Sequence, residues 1–280
     1  PAAIIAGEDA TAEMIAAVRA KLGLDRPMLE QFLLWIERLL RGDFGVSIFS
    51  NLPVTRLIAQ RIEPTLALML STLLVAVSLA IPIGVVAAWK ARRLIDRAVM
   101  VFAVTGFALP VFVLAYVLIY IFAVQLGWFP VQGYRPIGEG FWPFAEGLVL
   151  PSVALGTTYM ALIARITRAS VLEVLSQDYI RTANSKGLAT HRVLLLHALK
   201  NAAVPIVTVI GLGIATLISG VVITETVFNI PGLGRLTVDA VLKRDYPIVQ
   251  ALILIFAAAK VLVNLMVDIS YVFLDPRVRY

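Results

Sequence analysis

Five stretches of this chain are long and apolar enough to cross the hydrocarbon core of a bilayer, and that fixes the solvent in which it can fold. A bilayer core takes about 20 residues of apolar helix. Residues 64–89, 98–130, 147–164 and 201–224 carry no charge, and 247–274 is interrupted only by Lys260 and Asp268. Strands of a closed membrane barrel are shorter and alternate in polarity, so these stretches read as helices. Hydrophobic residues make up 60% of the chain and the mean hydropathy is +0.91, more apolar surface than one soluble core can hide.

Charge then orients the spans, because basic residues in short loops stay on the cytoplasmic side. The segment 90–97 holds Lys90, Arg92, Arg93 and Arg97, and 165–200 holds Arg165, Arg168, Arg181, Lys186, Arg192 and Lys200. Both read as cytoplasmic. Arg135 with Glu139 and Glu146, and the mixed loop 225–246, read as external. Residues 1–63 are then an external head, residues 64–280 the membrane domain, and the C-terminus is cytoplasmic. Five crossings leave the two ends on opposite sides; one further span ahead of Pro1 would place both inside, and such a segment is expected. In the head, Met14, Ile15, Val18 and Leu22 follow a cap at Asp9 or Thr11, and Leu29, Phe32, Leu33, Ile36 and Leu40 follow Pro27. This spacing predicts two small helices capping the membrane domain.

The chemistry left open is narrow. Cysteine is absent, which removes disulfides and thiolate catalysis or metal binding. No metal site is expected: His191 and His197 both fall in the cytoplasmic loop, and Asp268 has no acidic partner for an intramembrane enzyme. No internal repeat suggests a self-powered secondary transporter. No Gly-x-x-x-x-Gly-Lys-Ser/Thr loop occurs, so ATP chemistry would belong to another chain. The net charge of +6 sits in the loops of a membrane protein and does not point to nucleic acid.

Within 165–200 the chain reads Asp178, Tyr179, Ile180, Arg181, Thr182, Ala183, Asn184, Ser185, Lys186, Gly187. A short amphipathic helix with Gly187 at C′ is the expected local structure. This decapeptide resembles the EAA loop of ABC importer permeases, with Ala183 and Gly187 in the matching places and Arg181 where the name-giving Glu stands. Three further stretches resemble the same family in order: Gly42, Asp43, Phe44, Gly45 with Ser47 and Ile48; the run 225–236 (Glu-Thr-Val-Phe-Asn-Ile-Pro-Gly-Leu-Gly-Arg-Leu); and Arg244, Asp245, Tyr246, Pro247 with Asp275, Pro276, Arg277. The chain is thereby identified as similar to the B-type permeases of dipeptide, oligopeptide and nickel importers.

That resemblance implies an all-α polytopic bundle of the type I importer permease (MetI-like) kind, with five spans here and six in the full chain. It implies a bacterial inner-membrane location, a second and different permease subunit, two cytoplasmic ATPases that carry ATP and Mg, and an external substrate-binding protein. This chain would hold no cofactor of its own and would not be an enzyme. Peptides lead as solute, with nickel chelates, glutathione and opines as alternatives. In the coupling helix, small Ala183 would permit close approach, Tyr179 and Ile180 would fill a pocket, and Arg181 and Lys186 would meet acidic groups of the ATPase, with Asp178, Thr182 and Gly187 completing the helix. The other reading of the same helix is one lying on lipid headgroups.

Three other groups remain. Phe228, Pro231, Gly232, Gly234 and Arg235 form an expected tight external turn, its glycines supplying backbone angles other residues avoid, either near the gate and binding protein or simply joining two helices. Lys260, Asn264 and Asp268 share one face of the last span. They line a water-filled route or a neighbouring subunit, or else Asp268 lies at the cytoplasmic interface and Lys260 is held by a protein carbonyl. Gly211, Ala215 and Ser219 give a smooth face for a close helix contact, expected against another helix or the second permease. Pro82, Pro110, Pro151 and Pro205 mark places for kinks.

Overall fold

The computed structural model describes residues 10–21 and 23–274. In chain order its helices are α1 (Ala12–Lys21), α2 (Met28–Leu40), α3 (Val54–Trp89), α4 (Leu94–Ala108), α5 (Val111–Leu118, continuing as a π-helix over Ile119–Gln125) and α6 (Phe141–Leu175). Then come α7 (Asp178–Ser185), α8 (Thr190–Arg192, continuing as a π-helix over Val193–Leu199), α9 (Ala203–Val227), α10 (Leu233–Lys243) and α11 (Tyr246–Leu274). Among the described residues the only extended pairing is a single bridge between Val46 and Pro53.

The centre of the bundle is α3 packed along α6, and the register of their contacts gives their relative direction. Ser71 meets Ser152 at 2.7 Å between hydroxyl oxygens, Gly156 faces Thr72, and Gly84 faces Ala164 and Thr167. Partner numbers rise together, so the two helices are parallel. A Cβ on Gly84 would sit 2.7 Å from the Ala164 carbonyl oxygen, which is why this crossing needs glycine. Against α6 the numbers run oppositely in α9, where Gly213 faces Tyr159 and Gly220 faces Leu155. They run oppositely again between α9 and α11, where Gly211 faces Val267 and the Tyr271 hydroxyl reaches Thr208 at 2.9 Å. The helices therefore alternate between two ends of the bundle, one rich in basic residues and one not.

This alternation resolves the stretch 98–130, which is not one straight helix. Leu109 is extended, as a residue before proline tends to be, and α4 and α5 meet there at 104°. Each arm of 15 residues is about 22 Å long, short of a bilayer core. Yet α3 ends at Trp89 on the basic end, and the Tyr134 hydroxyl donates to Glu63 (3.0 Å) at the other. Since α3 and α6 are parallel, the bent pair must traverse the bundle between them. A second bend of 64° separates α8 from α9. Among the described residues three helices are long and apolar enough to span, and counting each bent pair as one span gives five. Pro110 stands at the sharp bend, whereas Pro82 and Pro151 lie inside continuous helices.

The expected boundaries shift in two places. α3 begins at Val54, so residue 63 falls inside a helix, and α6 runs on to Leu175, taking in Arg165 and Arg168. The head helices form, and Thr11 caps α1 by accepting the Met14 N–H (3.3 Å), but no residue of α2 is buried. What anchors the head is instead the turn after α2. Ser47 Oγ donates to Asp245 Oδ2 at 2.6 Å, both side chains buried, and the Val54 N–H bonds Gly45 O. Leu22, the alternative cap Asp9, and the closing Asp275, Pro276 and Arg277 lie outside the described residues, as do the side chains of Val18 and Ser219.

The exposed area is 16912 Å². A compact soluble protein of 30.4 kDa would expose about 12,000 Å². Large apolar side chains contribute to the excess, with Leu70, Leu74, Val101, Ile253 and Met266 all exposed on the helices. Such faces suit lipid or neighbouring subunits.

Candidate functional site

At the basic end, α7 is a stub of eight residues after α6. Its end is a complete Schellman closure: Gly187 is left-handed (φ 78°), its N–H bonds Asn184 O (2.9 Å), and the Leu188 N–H bonds Ala183 O (3.3 Å). Ile180 is 2% exposed, packed inside the chain, so it anchors the stub instead of filling a partner's pocket. Tyr179, Arg181, Thr182 and Lys186 point outward, Ala183 is half-buried, and Arg181 lies 3.5 Å from Asp178 in an exposed contact of little strength. One inward anchor and an otherwise open polar face leave the stub presented to whatever covers that end.

Close by, Asp96 is buried in the first turn of α4 and forms a two-pronged ion pair with Arg168 of α6. It also accepts the Arg92 N–H at 2.8 Å. Removing one partner of such a pair leaves an uncompensated charge and costs about 3 kcal/mol or more. Arg168→Ala therefore lowers the amount of folded protein recovered from membranes, and adding Asp96→Asn restores part of it; unchanged recovery in the single variant would rule out a structural role.

At the opposite end, the run 225–236 folds around a carboxylate. Glu225 is fully buried; its Oε1 accepts the Thr65 hydroxyl at 2.6 Å and its Oε2 accepts the Arg235 N–H at 2.9 Å. Thr65 Oγ1 in turn accepts the Leu233 N–H at 2.7 Å. Leu233 and Arg235 are the first and third residues of α10, whose opening N–H groups have no partners within the helix. Two side chains from α3 and α9 thus cap α10.

This geometry corrects the reading of the glycines. Neither Gly232 nor Gly234 has positive φ, and the left-handed residue of the turn is Asn229 (φ 55°), whose side chain bonds Arg235. A Cβ on Gly232 would overlap the Glu225 carboxylate, and one on Gly234 would sit 2.7 Å from Val222 Cα. Close approach, not turn geometry, demands glycine here. Phe228 is 2% exposed in a cluster with Leu155, Leu217 and Ile230, so among the residues expected at a gate only Pro231 is exposed and Arg235 half-exposed. Nearby, Tyr134 sits beside Glu63; burial, then the adjacent carboxylate, push its phenol well above the ordinary range and keep it a neutral donor.

On α11, Lys260 lies at mid-helix, and it, Asn264 and Asp268 are all exposed on this chain. The carbonyl expected to hold Lys260 is not found among the described residues; a charge at mid-span needs an acceptor from outside. Gly211 is buried where a Cβ would overlap Val267 of α11, so the close contact it permits is internal to the chain, and Ala215 is half-buried beside it. Glu225 and Asp245 stood in the stretches that carry the resemblance but were given no role of their own, and Thr65 and Asp96 were not singled out from sequence. For the three acidic residues the signal was position, each standing within two residues of an apolar span.

Parallel and antiparallel spans around α3 and α6, a presented stub at the basic end and a capped hairpin opposite define a multi-pass helical membrane protein. The chain belongs to the family described as "Binding-protein-dependent transport system inner membrane component", which matches residues 80–280. It is 51% identical over 280 residues to the "Probable peptide ABC transporter permease protein y4tP" of Sinorhizobium fredii (strain NBRC 101917 / NGR234), covering 100% of this chain and 90% of the relative. It is 45% identical to the "Glutathione transport system permease protein GsiC" of Salmonella choleraesuis (strain SC-B67), covering 100% of this chain and 89% of the relative. The fold is similar to "Crystal structure of an amino acid ABC transporter with histidines", with a TM-score of 0.57 and 16% identity over 77% of this chain and 92% of that one.

The chain is accordingly a permease subunit of an ABC importer, in the bacterial inner membrane, with the type I importer permease architecture. A member of this family works with an ATPase and a binding protein.

Proposed function

We propose that this permease carries peptides inward, as one of two different permease subunits forming the path. The observation that carries the substrate class is the pair of relatives named for a peptide and for glutathione, itself a peptide, at 51% and 45% identity along the whole of this chain. Under this reading the basic end is cytoplasmic by the positive-inside rule, residues 1–63 begin outside, and α11 ends inside. Two ATPases on the cytoplasmic side bind and hydrolyse ATP with Mg, and one of them grips α7. No cofactor belongs to this chain.

In this mechanism α7 moves as a rigid piece, because Ile180 fixes it to the bundle and the Schellman closure stiffens its end. Force applied to its open face passes through α6 and α8 into the spans. The hairpin of α9 and α10, locked by Glu225, holds the external end in register while the inner end opens. The uncovered polar row of α11 supports a facing subunit that supplies Lys260 with an acceptor.

The test is uptake of a labelled dipeptide into proteoliposomes holding the assembled importer with its binding protein outside. ATP-dependent accumulation is expected, with unlabelled peptides competing. Glutathione accumulation that a hundredfold excess of dipeptide leaves unchanged would replace the general peptide reading with a glutathione-specific one.

A further inference from the structure

We propose that the turn between α3 and α4 is a binding site for an anionic phospholipid headgroup. Lys90, Arg92, Arg93, Leu94, Ile95 and Arg97 line a shallow concavity of about 510 Å³ at the basic end. None of these four basic side chains makes an ion pair among the described residues. The one acidic residue of the segment, Asp96, is turned inward and committed to Arg168, so nothing in the turn neutralises the rim.

The apolar part of the wall selects lipid over a soluble anion. On α4 the inward face is Asp96, Ala103 and Gly106, packed on α6. The outward face begins at Leu94, 79% exposed, and Ile95, and continues through Val101 and Phe102. Past Arg97 and Ala98 the basic rim thus leads onto an exposed apolar track at Val101 and Phe102, which matches a phosphate group with acyl chains below it. Trp89 stands 52% exposed at the end of α3 with the Lys90 ammonium 5.4 Å from its ring centroid, a side-chain pair suited to the headgroup level. An acidic protein surface would complement the rim but leave this track uncovered.

The test places a single tryptophan at the site. A variant with Trp35, Trp128 and Trp142 changed to Phe keeps Trp89 alone and is reconstituted with phosphatidylcholine containing one-tenth brominated phosphatidylglycerol or one-tenth brominated phosphatidylcholine. Quenching of Trp89 is expected to be at least twofold greater with the anionic lipid. The difference should vanish when Lys90, Arg92, Arg93 and Arg97 are all changed to Gln, and millimolar inorganic phosphate should not displace it. Equal quenching by the two lipids, or quenching unaffected by the Gln changes, overturns the proposal; relief by phosphate would reassign the site to a soluble anion. Counting phosphatidylglycerol retained by the otherwise native importer after detergent washing, with and without the four Gln changes, gives the same answer without the Phe substitutions.

Discussion

Arg181→Glu combined with Ala183→Leu abolishes ATP-driven uptake and reduces ATPase stimulation by the binding protein to the basal level, while insertion in the membrane stays normal. The double change alters only the open face of α7. Arg181 is exposed and Ala183 half-buried, whereas the anchor Ile180 and the Schellman closure at Gly187 are untouched. Nothing in the chain's own core is lost, so the variant folds. Under the proposed coupling, what changes is the surface offered to the ATPase: a reversed charge and a bulky group where close approach is needed, in a small interface where a few residues dominate. Paired measurements of uptake and ATPase rate check it, with the level of membrane-inserted protein as control. Normal uptake in this variant would remove the lever role of α7 and leave the helix as a headgroup-lying element.

Glu225→Ala releases the hairpin of α9 and α10. The substitution leaves the Arg235 N–H without its acceptor and the Thr65 hydroxyl with only a long contact to the Arg61 carbonyl (3.4 Å), an unmade buried bond costing about 1–3 kcal/mol, with a small cavity in addition. A total on the order of 3 kcal/mol corresponds to about a hundredfold rise in hydrogen exchange at the α10 amides. Under the proposed mechanism uptake falls with it, because that end of the bundle loses its register. Exchange should rise little in α7, at the far end of the bundle. Exchange at α10 identical to the parent protein would show that the carboxylate does not hold the hairpin.

Sequence revealed the spans well because hydropathy is additive along a helix and needs no knowledge of partners. The gathering of basic residues at one end of the bundle was legible too, because their loops alternate along the chain with the spans. Sequence did not reveal how 98–130 crosses, since a 104° bend at Leu109 depends on packing of both arms against α6, and Pro110 alone is equally compatible with a mild kink. At the sites, the α7 helix and its closing Gly187 followed from local rules. The direction in which Ile180 points did not, because it depends on α8, which packs beside α7. Gly232 and Gly234 were noticed but misattributed, since a glycine needed for close approach and one needed for a left-handed angle look identical in a sequence. Glu225 and Thr65 are 160 residues apart, beyond the reach of any pattern confined to one segment.

The bond between Ser47 and Asp245 joins positions 198 residues apart. Synthesis must pass α10 and reach the residue that opens the last crossing before the first turn can be fastened, so through most of translation this rim of a nascent molecule stays unclasped. A ribosome stalled anywhere upstream of Asp245 yields a chain whose first turn has no clasp.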